Sequence, residues 1–231
     1  MDMDRNTNLP FALIQVAGIH DTEEAAMLLE EGVHLVGIPL RLTVNSEDLT
    51  EAEAAAVSRR FPDKCCLITY LQDPIEIVDL LRDLKLSWLQ LHGPVDKAIF
   101  PVLRKSIPEL RIIKSLIIGK GTEEALLREL QDYSPWVSAF ITDTYNPHTK
   151  AEGATGMTHD WKVSQRICEL ADRPVILAGG LNPGNVARSI QEVRPWGVDV
   201  HTGVEDASGR KCRKKVRQFV QQAQNAFRDR P

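Results

Sequence analysis

The stretch PVILAGGLNPGNVARSIQEVRPWGVDVHTG, residues 174–203, decides the fold. An apolar run ends in the paired glycines 179 and 180, an amphipathic segment follows, and a second apolar run ends in Thr202 and Gly203. Neither run alternates strictly between apolar and polar residues, which suits strands of a parallel sheet covered on both faces. Strand, glycine-bearing turn, helix and strand again form a βα unit. Glycine in such turns lets the backbone approach a ligand closely, and free amides at a helix start point at anions.

Six more runs of the same character precede it: ALIQVAG (12–18), HLVGIPL (34–40), CCLITYL (65–71), WLQLHG (88–93), RIIKSLII (111–118) and AFITDT (139–144). Helical patterns lie between them. Thr22 followed by Glu23 and Glu24 predicts a capped helix with an acidic first turn, closed by Gly32. Thr50 and Glu53 have the spacing of a capping box. Pro74, Thr122 and the pair Asn182–Pro183 open further helices. The last, KKVRQFVQQAQNAF (214–227), carries Val216, Phe219, Val220, Ala223 and Ala226 on one stripe.

Eight strand–helix units without a linker predict a single (β/α)8 TIM barrel over residues 11–231, after a short polar tail at 1–10. A doubly wound open sheet is the alternative. Against it, no GxGxxG follows the first strand and no P-loop occurs.

Composition sets bounds on function. The 231 residues are 43% hydrophobic and 26% charged, with a net charge of −4. A chain of this length buries about 70% of its unfolded surface and needs no staples. Its charge gives no general attraction to nucleic acid or to an anionic membrane. The basic cluster RKCRKK (210–215) reads as a solvated helix face. Four cysteines form no CxxC pair, and adjacent Cys65 and Cys66 in an apolar run read as buried reduced thiols. No signal peptide or membrane-length apolar run is present, so a cytoplasmic location is expected.

In a barrel of this kind the active site lies at the C-terminal ends of the strands. Ala17, Arg41, Tyr70, His92, Asp143, Gly179, Gly180 and the Asp199–Gly203 segment stand there. The glycine-bearing ends of strands seven and eight are the usual phosphate seat of the fold. Asp143 is either a helix cap or a general acid whose proton affinity the site raises. His92 is a ligand, a donor to substrate or a packed histidine. His148, His159 and His201 fall in different units with no HxH or HExxH spacing, so no metal is expected.

Together these motifs resemble the phosphoribosylanthranilate isomerase family of tryptophan biosynthesis, over roughly residues 13–220. LQLHG, ITDT, GATG (153–156) with HDW (159–161), LAGGLNPGNV and WGVDVHTGVED follow the family's motifs in order. The resemblance implies a cofactor-free Amadori rearrangement of a phosphorylated ribosyl amine, by a monomer or homodimer. It implies that Asp143 is the general acid and that Gln90 and His92 line the substrate pocket. It places the phosphate on Gly179, Gly180, Asp199, His201, Thr202 and Gly203. The family's strand-eight motif usually has two serines where this chain has His201 and Thr202.

Two departures stand out. The family's first strand ends in a cysteine that acts as general base, and here the position is Ala17, whose methyl group accepts no proton. Losing a positioned base costs about 10²–10⁴-fold. The family's arginine for the anthranilate carboxylate aligns with Glu47, leaving Arg41 as the neighbouring cation. His20 is the expected replacement base, since histidine titrates near neutral pH. Two other readings stay open: a sugar-phosphate-binding relative with little catalysis, and a lyase or aldolase using Lys114 as a Schiff-base amine.

Overall fold

The computed structural model describes residues 10–42, 47–144 and 160–230. Eight parallel strands close on themselves in chain order: β1 (Leu13–Ala17), β2 (Leu35–Pro39), β3 (Cys65–Thr69), β4 (Trp88–Leu91), β5 (Arg111–Ile118), β6 (Ala139–Thr144), β7 (Val175–Leu177) and β8 (Gly197–Val200). The closing seam pairs Leu13 with Gly197 and Val16 with Val200, which rules out the open sheet. Helices follow the strands: α1 (Thr22–Glu30), α2 (Glu51–Arg60), α3 (Pro74–Asp83), α4 (Ile99–Ser106), α5 (Glu123–Tyr133), α6 (Trp161–Leu170), α7 (Val186–Val193) and α8 (Arg213–Arg228). A single 3₁₀ turn, Thr202–Val204, lies between β8 and α8.

Two apolar layers hold the barrel. Inside it, Leu13, Leu35, Cys66, Trp88, Ile113, Ala139, Ile141, Ile176 and Ala178 form one cluster. Between sheet and helices, a larger cluster runs from Ile14 to Phe227. Side chains alternate along each strand, so positions two apart share a face. The interior set therefore brings Gln15 and Ala17 of β1, Gln90 and then His92 of β4, Asp143 of β6, and Asp199 and then His201 of β8 to the inner wall. Lys114 falls on the opposite parity from Ile113. Its ammonium donates to the Ser115 carbonyl at 2.6 Å and lies 5.3 Å from the Tyr133 ring, outside the barrel wall. That placement corrects the Schiff-base reading.

Local signals mostly hold. Thr50 and Glu53 make the reciprocal capping box, and Asp73 caps α3 ahead of Pro74. Gly32 takes a left-handed φ of +93° after α1. Two helix starts shift. Asp21, not Thr22, caps α1 by accepting from the Glu24 amide. Helix α7 begins at Val186, because Asn182 spends its side chain on the Gly184 amide at 2.8 Å and so builds a turn. Cys65 and Cys66 are free and buried, and burial pushes the Cys65 thiol up to about 12. The basic cluster is not wholly a solvated face. Lys211 is buried, with its ammonium on Glu205 at 2.6 Å and its amide donating to Glu24 at 2.6 Å.

Among the described residues no helix is long and apolar enough to cross a membrane. The N-terminal residues 1–9, the GATG segment (153–156), His148 and His159 lie outside the described residues.

Candidate active site

The inner wall at the C-terminal mouth carries two carboxyl groups, the half-buried Asp143 and the buried Asp199. Burial pushes the Asp143 carboxyl up, while nearby His92 and the Thr144 amide, which donates to Oδ1 at 2.7 Å, pull it back. Burial, then the neighbouring Asp143 charge, raises Asp199 to about 7. Two carboxylates this close in a poorly solvated site cannot both ionise cheaply, so protons stay on the pair. For Asp143 burial raises the proton affinity, the direction a general acid needs.

Asp199, expected among the phosphate-holding residues, lies within β8 rather than on the loop after it. It is buried one inward position below His201, beside Gln15, and its Oδ1 has no hydrogen-bond partner. Gln15 donates to Gln90 Oε1 at 2.9 Å, leaving its own Oε1 without a donor. His92 is held by Ser115 Oγ at 2.8 Å and by the edge of Tyr70, with ring centroids 4.8 Å apart. It is a fixed wall of the mouth next to Asp143.

The loops expected to hold a phosphate are built from glycine geometry. Gly179 and Gly180 take φ of +97° and +63°, open only to glycine at low cost. Asn185 binds the Gly180 carbonyl at 3.0 Å and the Asn182 amide at 2.8 Å, locking the loop after β7. A Cβ on Gly203 would stand 1.8 Å from the Leu181 carbonyl oxygen, so the loops after β7 and β8 touch backbone to backbone. The amides of Thr202 and Gly203 open the 3₁₀ turn, where N–H groups have no partner within the turn. The two loops thus converge amides on one place, as an oxyanion ligand requires.

The loops after β1 and β2 differ from expectation. The His20 amide and Nδ1 both address Glu24 Oε2, at 2.7 and 3.3 Å, and Nε2 lies 3.9 Å from Asp48. Both ring nitrogens are thus turned to carboxylates, and His20 does not fill the place of a base at Ala17. Arg41 is not held ready for a substrate carboxylate either. Its guanidinium pairs with Glu51 at 2.5 Å, and its amide donates to the Glu47 carboxylate. Glu47 is exposed and committed to that turn.

His201 occupies the gap. Its imidazole lies against Gly18, where any Cβ would meet Nε2 at 2.0 Å. Nε2 stands 3.5 Å from Glu205 and 4.0 Å from Asp48. Burial and the Lys211 charge lower its pKa to about 4 against the pull of Glu205, so the ring is neutral at pH 7. Asp48, Glu205, Lys211 and Glu24 were not singled out by sequence. Burial raises the Asp48 carboxyl, with His20 and Lys211 opposing. Among the described residues no group of three or more His, Cys, Asp or Glu is arranged to hold a metal ion.

The comparisons agree with this architecture. The family model for N-(5'phosphoribosyl)anthranilate (PRA) isomerase matches residues 13–222. N-(5'-phosphoribosyl)anthranilate isomerase 2 of Methanosarcina mazei is 36% identical over 218 residues, covering 93% of this chain and 95% of the relative. The solved N-(5'-phosphoribosyl)anthranilate isomerase of Pyrococcus furiosus superposes with a TM-score of 0.76 at 24% identity, covering 93% of this chain and 99% of that one. A second solved PRA isomerase, in complex with reduced 1-(o-carboxyphenylamino)-1-deoxyribulose 5-phosphate, superposes with a TM-score of 0.75 at 24% identity over the same shares. With its barrel and both glycine loops inside the matched span, the chain belongs to the PRA isomerase family.

Proposed function

We propose that this protein isomerises N-(5-phosphoribosyl)anthranilate, or a closely related ribosyl-amine phosphate, to the corresponding 1-amino-1-deoxyketose by an Amadori rearrangement. The observation that carries the reading is Asp143: a half-buried carboxyl whose proton affinity burial raises, on the same mouth as the two glycine loops that meet after β7 and β8. The seat anchors the phosphate through the amides of Gly179, Gly180, Thr202 and Gly203. Asp143 then gives its proton to the ribose ring oxygen. The C1–O bond breaks toward oxygen as the nitrogen lone pair forms the C1=N iminium. Gln90 and His92 wall the sugar, and the aglycone lies toward the loops that carry Arg41 and Glu47. A phosphorylated small molecule is the one partner this reaction needs, the chain acts as a monomer or homodimer, and a cytoplasmic location fits its substrate.

The test is direct. Purified protein mixed with phosphoribosyl anthranilate should consume the substrate's fluorescence and give a product of unchanged mass. No turnover at high enzyme concentration, with the substrate intact, would sink the reading.

A further inference from the structure

Resting on that reading, the reaction needs a second proton transfer, because moving the carbonyl from C1 to C2 requires loss of the C2 proton. Asp143 has given its proton away and His92 stands beside it, bonded to Ser115, so the acceptor belongs on the other side of the mouth. Among the described residues there, His20 has both ring nitrogens turned to carboxylates. His201 differs. The β1–β8 pairing of Val16 with Val200 puts it next to Ala17, and its side chain is 26% exposed. Its Nε2 faces Asp48 and Glu205, whereas its Nδ1 has no recorded partner among the described residues. A ring whose N–H faces a carboxylate presents a lone pair on the other nitrogen, the arrangement that orients a histidine base.

We propose that His201 Nδ1 takes the C2 proton, with Glu205, whose carboxylate stands 3.5 Å from Nε2, as the positioning residue that faces Nε2–H and stabilises the imidazolium. The C2–H electron pair becomes the C1=C2 bond, and the iminium π pair returns to nitrogen. The enol O–H proton then passes to the Asp143 carboxylate, and the imidazolium returns its proton at C1. Both groups end as they began. The small Ala17 methyl leaves the neighbouring place open, and Gly18 is the residue over which the ring lies.

The experiment uses the full chain and phosphoribosyl anthranilate. His201→Asn should lower kcat by about 10²–10⁴-fold, the usual loss for a positioned base, with KM changed only a few-fold. Added imidazole should restore part of the rate. Glu205→Gln should move the acid limb of the kcat–pH profile to lower pH, because the carboxylate that favours imidazolium is gone. The other charged or titrating groups facing His201 are Lys211 from the segment after β8, Asp48 from the loop after β2 and His20 from the loop after β1. These stay in place in both variants. A folded His201→Asn variant within about threefold of the wild-type kcat, or an unmoved acid limb in Glu205→Gln, overturns the assignment while leaving the isomerase reading intact. A wild-type chain inert toward the substrate would instead overturn the isomerase reading.

Discussion

Asp199→Asn should make this protein more stable at alkaline pH while barely changing it at acid pH. In the folded chain the Asp199 carboxyl holds its proton up to about pH 7, against 3.8 when unperturbed, because it is buried beside Asp143. A folded pKa above the unfolded one means stability is full below the unfolded value and drains as pH rises through the folded value. Between roughly pH 4 and 7 the folded chain keeps a proton that the unfolded chain has released. At about 1.4 kcal/mol per pH unit, the drain totals about 4 kcal/mol by pH 8–9. Asparagine cannot ionise, and its amide can donate to the buried Gln15 Oε1, which has no donor in this structure. The variant should therefore gain about 2–4 kcal/mol at pH 9, or on the order of 5–15 °C in Tm for a chain of this size. At pH 5 only about 1.6 kcal/mol of this drain has accrued, so the variant's advantage there should be about 2–3 kcal/mol smaller than at pH 9. Urea unfolding at pH 5 and pH 9, wild type beside variant, measures this. Parallel pH dependences, or a variant less stable at pH 9, would refute the claim that this carboxyl is forced to keep its proton.

Three further outcomes follow from the same geometry. Asp143→Asn should cut kcat by about 10²–10⁴-fold with KM nearly unchanged; a wild-type rate in steady-state kinetics would remove its assignment as acid. Gly203→Ala places a Cβ 1.8 Å from the Leu181 carbonyl oxygen and must push the two glycine loops apart. Its stability in urea should drop by about 1–3 kcal/mol, the usual cost of overpacking, and KM for the phosphorylated substrate should rise several-fold. An unchanged KM would place the phosphate elsewhere. Borohydride added during turnover should leave the protein's mass unaltered, since the Lys114 ammonium lies outside the barrel wall; a reduced adduct on Lys114 would reinstate Schiff-base chemistry.

What the chain discloses before folding follows from the range of each physical requirement. Doubly buried parallel strands must be apolar throughout, so eight runs and their closing order could be read from residues alone. The positive φ of Gly179 and Gly180 is a one-residue demand, and it too is written locally. Helix α4 left little trace because its N-cap, Ala98, makes no side-chain bond, and Pro101 interrupts the pattern near its start. The unbroken apolar run RIIKSLII concealed which parity faces inward, and only the pairing of Leu91 with Lys114 settles it.

The wiring of the mouth lay beyond such reading because it is a product of barrel closure. His20 was found in its place, but its direction is set by Glu24, a carboxylate held in turn by the amide of Lys211 from the far end of the chain. Asp48 sits in a polar loop with no period to mark it, and acquires meaning from two imidazoles that arrive after β1 and β8. Likewise His201 is unremarkable as one residue in DVHTG. Against Gly18 it becomes specific: any side chain at position 18 would occupy the space of its Nε2. Glycine at 18 and histidine at 201 are therefore a single choice made twice along the chain. On the proposed mechanism Ala17, the last residue of β1, can stay inert because the accepting nitrogen of His201 approaches from the end of the neighbouring strand.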